Sequence, residues 1–405
     1  MLAALRRISL TKWILISMVA GIAIGYFAPG FAQQLSPISG VFLRMIRSLV
    51  VPLIFATLVV GIAGHGDDLK QVGKLALGSI VYFEVVTTLA LAVGLLAVNI
   101  VKPGVGVSLT GQAAAPPPGA ELTLSGLLEH VVPSSVVDAA AKTDILAVVF
   151  WSIVFAMALV RVPSKHKQVM IAFFESLSEV MFKFVNIVMW FAPFGIGAAM
   201  AVTIGKNGLG VLTHLGVLVL TLYGALVVFV LAVLLPVATL AKVPIRQFVA
   251  AVKDPWLIAF STASSEAALP RALENMETLG VPKRIVAFVL PTGYSFNLDG
   301  TTLYLSLASV FVAQAAGVPM TLGQQLFMML TLMLTSKGVA GVPRAALVVL
   351  AGALTQFKLP MEGFAVLLGV DAFMDMARTS INVVGNCLAS VVMARWDGSF
   401  APPPK

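Results

Sequence analysis

The sequence predicts an all-α polytopic membrane protein, on three observations. Of its 405 residues 59% are hydrophobic and only 11% charged, with a mean hydropathy of +1.00. A soluble chain of that length could bury a large core but would need a far more polar surface. The apolar residues gather in stretches long enough to cross a bilayer, which takes about 20 residues. The basic residues lie between those stretches, at Arg6, Arg7 and Lys12, Lys70 and Lys74, Arg161, Lys165 and Lys167, Lys242, Arg246 and Lys253, and Lys283 and Arg284.

That placement gives the net charge of +8 a topological meaning. No Lys/Arg stripe with interleaved aromatics is present, so a nucleic-acid partner is not indicated. A single cysteine, Cys387, excludes an intrachain disulfide, and no Cys/His cluster suggests zinc or another cofactor. His65, His130, His166 and His214 are scattered near segment ends.

Taken in order, the apolar segments fall at 12–28, 40–64, 75–101, 127–160 (broken), 168–204 and 208–241. The first reads as a retained span, because no small-residue cleavage site follows it convincingly. The stretch from Pro103 to Ala141, with Pro116-Pro117-Pro118, holds no Lys or Arg. The positive-inside rule therefore places it outside and both termini, the second beside Arg395 and Lys405, in the cytoplasm.

After Lys242 the segments are interrupted by Gly, Pro, Ser and polar residues, in a weak internal repeat. One is broken at Ser264-Ser265-Glu266-Ala267-Ala268-Leu269-Pro270, and Asn297-Leu298-Asp299-Gly300-Thr301 begins 27 residues after that proline. Another is broken at Ser336-Lys337-Gly338-Val339-Ala340-Gly341-Val342-Pro343, and Asp371 follows its proline by 28 residues. Paired broken segments at corresponding positions point to a transporter's midplane site. Non-helical backbone at membrane depth must satisfy its polar groups on protein, water or ligand. Two short kinked spans are the plainer alternative.

The last long segment carries Asp371, Asp375, Arg378, Thr379, Asn382 and Asn386. At about 100° per residue all six share one helix face of about 100°. Intramembrane charges are expensive and call for partners. The three charges can simply neutralise one another. Alternatively, Arg378 offers a planar fork to a carboxylate, Asp375 accepts an ammonium, and Thr379 and Asn382 add hydrogen bonds, which together describe a zwitterion with an extra carboxylate. The oxygens of Asn297-Leu298-Asp299-Gly300-Thr301 suit an unwound helix coordinating a hard cation such as Na⁺.

These motifs resemble the dicarboxylate/amino acid:cation symporter family, which includes the excitatory glutamate transporters, and resemble most closely its bacterial proton-glutamate/aspartate symporters. The resemblance covers nearly the whole chain and is strongest from Ser261 to Trp396. It implies eight transmembrane helices, two re-entrant helical hairpins and a homotrimer in the cell inner membrane. Residues 1–72 would be scaffold helices 1 and 2, 73–102 helix 3 of the transport domain, and 103–206 scaffold helices 4 and 5. Residues 207–405 would hold helix 6, hairpin 1, helix 7, hairpin 2 and helix 8, moving as an elevator.

The resemblance also implies site roles: substrate contacts at Ser264, Ser265, Thr301, Val342, Asp375, Arg378, Thr379 and Asn382, and cation positions at Gly293, Asn297, Asp299, Asn382 and Asn386. Dicarboxylate carriers of the family lack the acid matching Asp375, and neutral amino-acid exchangers lack the arginine matching Arg378. A chain with both is expected to carry L-glutamate or L-aspartate, with C4-dicarboxylates as the alternative. Sodium-coupled relatives have an aspartate at Asn386, and a tyrosine and threonine at Phe83 and Val86. Those departures, with Glu84 and Glu266 at expected membrane depth, where desolvation disfavours charge, lead us to expect co-transported H⁺, with Na⁺ at Asn297, Asp299 and Asn382 as the alternative. Leu305, after the tyrosine, replaces the glutamate of potassium-exchanging relatives. Lys337 is expected either to displace a cation or, more simply, to reach water.

An intramembrane protease would use a dyad among Asp299, Asp371 and Asp375. None of the three lies in a GxGD string, and Arg378 favours ionisation of its neighbours, so an enzyme is not expected. A dedicated ion channel would lack saturable accumulation.

Overall fold

The computed structural model describes residues 10–63, 74–107, 132, 134–142, 145–338 and 345–402, and every regular element among them is helical. Arg6, Arg7, His65, Lys70, Pro116–Pro118, His130, Val339–Pro343 with Val342, and Lys405 lie outside the described residues.

The first half supplies α1 (Leu10–Phe27), α2 (Pro29–Gln34), α3 (Ser36–Ala63), α4 (Lys74–Val101), α5 (Val136–Ala141), α6 (Ile145–Arg161), α7 (Ser164–Trp190) and α8 (Ala192–Asn207). The expected single segment at 168–204 is divided. Pro193, in the first turn of α8, has no N–H for the helical ladder, and α7 and α8 meet at 50°.

The second half begins with α9 (Gly210–Phe229), which runs through a π-helical turn (Val230–Leu234) into α10 (Leu235–Leu240). Two helix pairs follow with a break inside each. In the first, α11 (Ile245–Thr262) ends on Ala263 in a left-handed conformation, φ 50°, and α12 (Ser265–Thr278) is capped by the Ser264 side chain, which accepts from the Ala267 N–H at 3.3 Å. In the second, α15 (Leu322–Thr335) opens with a Thr321/Gln324 capping box and closes in a 3₁₀ turn, Ser336–Gly338, and α16 (Ala345–Gln356) follows.

Between the pairs, α13 (Lys283–Phe296) and α14 (Asp299–Ala315) are separated by two non-helical residues, Asn297 (φ −134°, ψ 73°) and Leu298 (φ −101°, ψ 69°). Asp299 opens α14, where its carboxylate faces the positive end of the helix dipole. The last element, α17 (Met361–Trp396), has 36 residues and is about 54 Å long, unbroken through the whole polar face.

Among the described residues, three helical stretches are long and apolar enough to cross a membrane: Pro29–Val60, Leu77–Val101 and Gly210–Leu240. The bent pair α7 and α8 makes a fourth if it counts as one span. The others are too short or, like α17, carry charge. The apolar residues these helices expose, such as Leu96, Ile100, Leu220 and Leu231, suit hydrocarbon contact.

The core sits where α4, α14 and α17 meet. All of α14 except Gln314 is buried, the pattern of a helix surrounded by protein. α4 reaches it closely because Gly94 has no side chain: a Cβ there would run into the Leu303 carbonyl and the Ser306 hydroxyl. Ser306 donates to the Leu91 carbonyl at 2.9 Å across the same contact.

The C-terminus is tied down at one end of this bundle. Arg395 donates to the Lys242 carbonyl at 2.8 Å, Arg284 pairs with Asp397, and the Ala401 N–H donates to Gly280 O at 3.1 Å. The basic residues Lys242, Arg284 and Arg395 therefore share one end of the protein.

Candidate substrate and cation site

The six polar residues of α17 are all buried: Asp371, Asp375, Arg378, Thr379, Asn382 and Asn386. Their common face is turned against α14 and the break before it, so the amphipathic pattern predicts a real juxtaposition. Two groups of contacts form along that face.

Around Arg378, which has no exposed surface, the guanidinium is pinned by its own helix. Nη1 donates to Asp371 Oδ1 and Nε to Asp375 Oδ1, both at 2.9 Å. Nη2 also lies 2.9 Å from Asp375 Oδ1, yet its N–H has no aligned acceptor among the described residues. The Thr379 hydroxyl donates to Asp375 Oδ1 at 3.2 Å. The ring of Tyr304, from α14, lies under the guanidinium with 4.1 Å from Cζ to the centroid, a cation–π contact in a dry setting. The mutual neutralisation that the sequence allows is thus realised, but one donor of Arg378 is left to spare, and two carboxylates outnumber one cation.

One turn further along, the side chain of Asn382 bridges to the start of α14. Its Oδ1 accepts from the Thr301 N–H at 3.1 Å and its Nδ2 donates to Thr301 Oγ1 at 2.9 Å. Gly300 makes this approach possible, since a Cβ there would run into the Arg378 carbonyl. Beyond it, Asn386 Nδ2 donates to the Asn297 carbonyl at 3.1 Å, and Asn297 Nδ2 is shared between Asp299 Oδ2 at 3.2 Å and Asn386 Oδ1 at 3.4 Å. Gly293 lies against the Asn386 side chain.

Asp299 and Asn297 have no exposed surface, and each keeps a side-chain Oδ1 without a hydrogen-bond partner among the described residues. A buried carboxylate with an unspent oxygen must be neutralised by a cation or a proton. Asn297, Asp299 and Asn386 thus bring several oxygens together between the helix break and α17, with Gly293 beside them.

Other expected residues fall elsewhere. Ser265 is buried and Ser264 caps α12, in the helix pair that packs against α17, but among the described residues neither has a hydrogen bond to the Arg378 group. Glu266 is exposed in the first turn of α12. Glu84 is not a solitary carboxylate: Oε1 lies 3.0 Å from Lys337 Nζ. Lys337 does not reach water. Its side chain is 10% exposed and turns inward to donate to the Phe296 carbonyl at 2.9 Å. Phe83 and Val86 are buried apolar residues.

Helical spacing assigns Asp371 to the polar face and to charge neutralisation but not to the Arg378 fork. Nothing in the sequence singles out Tyr304 beyond its position one turn after Thr301, on the same side of α14.

The description of the sodium:dicarboxylate symporter family matches residues 10–396. The chain is 42% identical to the proton/sodium-glutamate symport protein of Geobacillus stearothermophilus, over 98% of this chain and 96% of that one. It is 41% identical to the proton/glutamate-aspartate symporter of Escherichia coli (strain K12), over 97% and 94%. It is 44% identical to the C4-dicarboxylate transport protein of Albidiferax ferrireducens, over 97% and 89%. With a helix break facing a charged, fully buried helix face, and with agreement along nearly its whole length, this chain belongs to the sodium:dicarboxylate symporter family.

Proposed function

We propose that the protein is a secondary active symporter for L-glutamate and L-aspartate, coupled to protons. The observation that carries this reading is the buried Asp371–Arg378–Asp375 array beside the unwound segment at Asn297-Leu298. A substrate carboxylate can take the spare Nη2 donor and displace one aspartate oxygen from the fork. The aspartate so released, Asp375 on this reading, then accepts the substrate's ammonium, with Thr379 and Asn382 completing the contacts.

The charge balance supports coupling. Asp299, Asp371, Asp375 and Glu84 against Arg378 and Lys337 leave two surplus negative charges, and an acidic amino acid adds a third. Cations or protons must therefore enter with the substrate. Uptake driven by an inside-negative potential needs at least two co-transported positive charges per substrate, each charge being worth about 2.3 kcal/mol per 100 mV. To Asp299, buried and with one oxygen lacking a hydrogen bond among the described residues, we assign the proton, and Asn386 and the apolar Phe83 and Val86 make a poor sodium cage. Relatives named for protons and sodium alike, and for C4-dicarboxylates, keep sodium coupling and dicarboxylate transport as the alternatives.

On this reading the paired breaks at Ser264 and Ser336–Gly338 are the turns of re-entrant hairpins. Eight spans in the inner membrane, cytoplasmic termini, a trimeric scaffold and an elevator displacement complete the proposal. The test is uptake of radiolabelled L-aspartate and L-glutamate into proteoliposomes, with proton and sodium gradients imposed separately. Accumulation with protons alone is expected. A strict sodium requirement overturns the coupling, and no uptake of either amino acid overturns the substrate.

A further inference from the structure

Lys337 stands in the turn that closes α15, and its ammonium is held by three oxygens from two other elements. The Phe296 carbonyl, at the last residue before the α13 break, accepts at 2.9 Å. Glu84 Oε1 on α4 lies at 3.0 Å, and Thr87 Oγ1, one turn along the same face, accepts at 3.5 Å. A carbonyl, a carboxylate and a hydroxyl converging from separate elements are the donor set of a hard monovalent cation. Here the cation is supplied by the chain.

The rest of the arm supports a fixed rather than a wandering side chain. At its far end Asn99 on α4 donates to Gln325 Oε1 at 2.7 Å, and Thr88 lies against Met333 in between. Thr335 and Ser336, just before Lys337, are buried. The arm is therefore seated on α4 along its length, with Lys337 as the charged contact just beyond the end of α15.

We propose that Lys337 is a tethered cation. Its ammonium occupies a monovalent-cation position between α4, the α13 break and the turn after α15, and holds that turn against α4 and α13 without a dissociable ion there. The inference rests on the reading of the protein as a cation-coupled symporter and deepens it. It accounts for independence from sodium by a filled position as well as by missing ligands, and makes Lys337 a positioning residue.

Truncating the side chain should uncover the position. In proteoliposomes under an inward proton gradient, Lys337→Ala is expected to lose about tenfold or more of its L-aspartate uptake in sodium-free choline medium, because the Phe296 carbonyl, Glu84 and Thr87 lose the cation that joins them. Sodium, and lithium as a second small cation, should restore at least half of it in a saturable manner, while matched choline chloride does not. Lys337→Met, which fills the space with carbon, should lose uptake and gain nothing from sodium. Adding Glu84→Gln to Lys337→Ala should remove the rescue. Lys337→Ser gives the same comparison if the alanine variant does not fold.

A Lys337→Ala protein that transports like the wild type without sodium overturns the proposal, as does one that folds yet stays inactive at every sodium concentration. The melting temperature of the purified wild-type protein provides an arm independent of uptake. It should not respond to sodium, and a rise abolished by Glu84→Gln would mean that an ion still enters beside Lys337. Failure of the wild type to accumulate aspartate would count against the proposed function, whereas the melting arm reads this inference alone.

Discussion

The guanidinium of Arg378 lies over the ring of Tyr304, 4.1 Å from its centroid, while two of its nitrogens donate to Asp371 and Asp375 at 2.9 Å. The ring covers one face of the guanidinium and leaves its edge to the carboxylates, so the fork keeps its plane when it exchanges one oxygen partner for another. A desolvated cation–π contact of this kind is worth about 2 kcal/mol. Tyr304→Leu, which lets the guanidinium leave its plane in the substrate-free protein, should lower the apparent affinity for L-aspartate severalfold, whereas Tyr304→Phe, which keeps the ring, should stay close to wild type. Concentration-dependent initial uptake rates distinguish the two, and equal losses would show that the hydroxyl, not the ring, matters.

Removing the guanidinium itself is expected to abolish uptake of both acidic amino acids. Arg378→Lys should not restore it, because an ammonium cannot bridge two carboxylates in one plane. The change also leaves Asp371 and Asp375 buried without their partner, at a cost of about 3–5 kcal/mol, so a lowered melting temperature should accompany the loss. Undiminished aspartate uptake by Arg378→Ala would remove Arg378 from the substrate site.

On the proposed reading, Asp375 selects between substrates. With Asp375→Ser the group loses its surplus negative charge and the acceptor for an ammonium. Competition for labelled aspartate should then weaken, and inhibition by succinate or malate should strengthen at least severalfold. An unchanged order of inhibitors would assign the ammonium to another residue.

Proton carriage separates the buried carboxylate from the exposed one. Asp299→Asn should flatten the dependence of uptake on external pH, since the group that must be neutralised before translocation is gone. Glu266→Gln, at an exposed position, should leave the profile unchanged. The reverse result in a side-by-side pH series would move the proton to hairpin 1.

Close backbone approach is the last expectation. A Cβ at Gly300 would run into the Arg378 carbonyl, so Gly300→Ala must push α14 from α17 and break the Thr301–Asn382 bridge. Loss of substrate-induced thermal stabilisation is expected, with the helical content by circular dichroism unchanged.

The sequence made the breaks legible because each carries its own chemistry. Ser264 is a helix cap, Asn297 and Asp299 are polar residues in an apolar run, and Ser336–Gly338 precedes a Gly- and Pro-rich tip. The face of α17 was legible for a similar reason, as six polar residues with helical spacing have few other uses in a bilayer. The division at Phe191 was obscured by the continuous apolar run around Pro193. Side-chain direction was harder still. Lys337 has four methylenes and can reach water or turn inward, and only the positions of α4 and the Phe296 carbonyl decide. The same holds for Glu84, whose partner is 253 positions away in the chain, at Lys337.

Proton movement tests the central claim most directly. With the purified protein in sodium-free proteoliposomes that enclose a pH-sensitive dye, external L-aspartate should acidify the lumen, saturably and in proportion to labelled aspartate taken up. Arg378→Ala should abolish the signal. Aspartate uptake without luminal acidification, or uptake that begins only when sodium is added, would contradict the account.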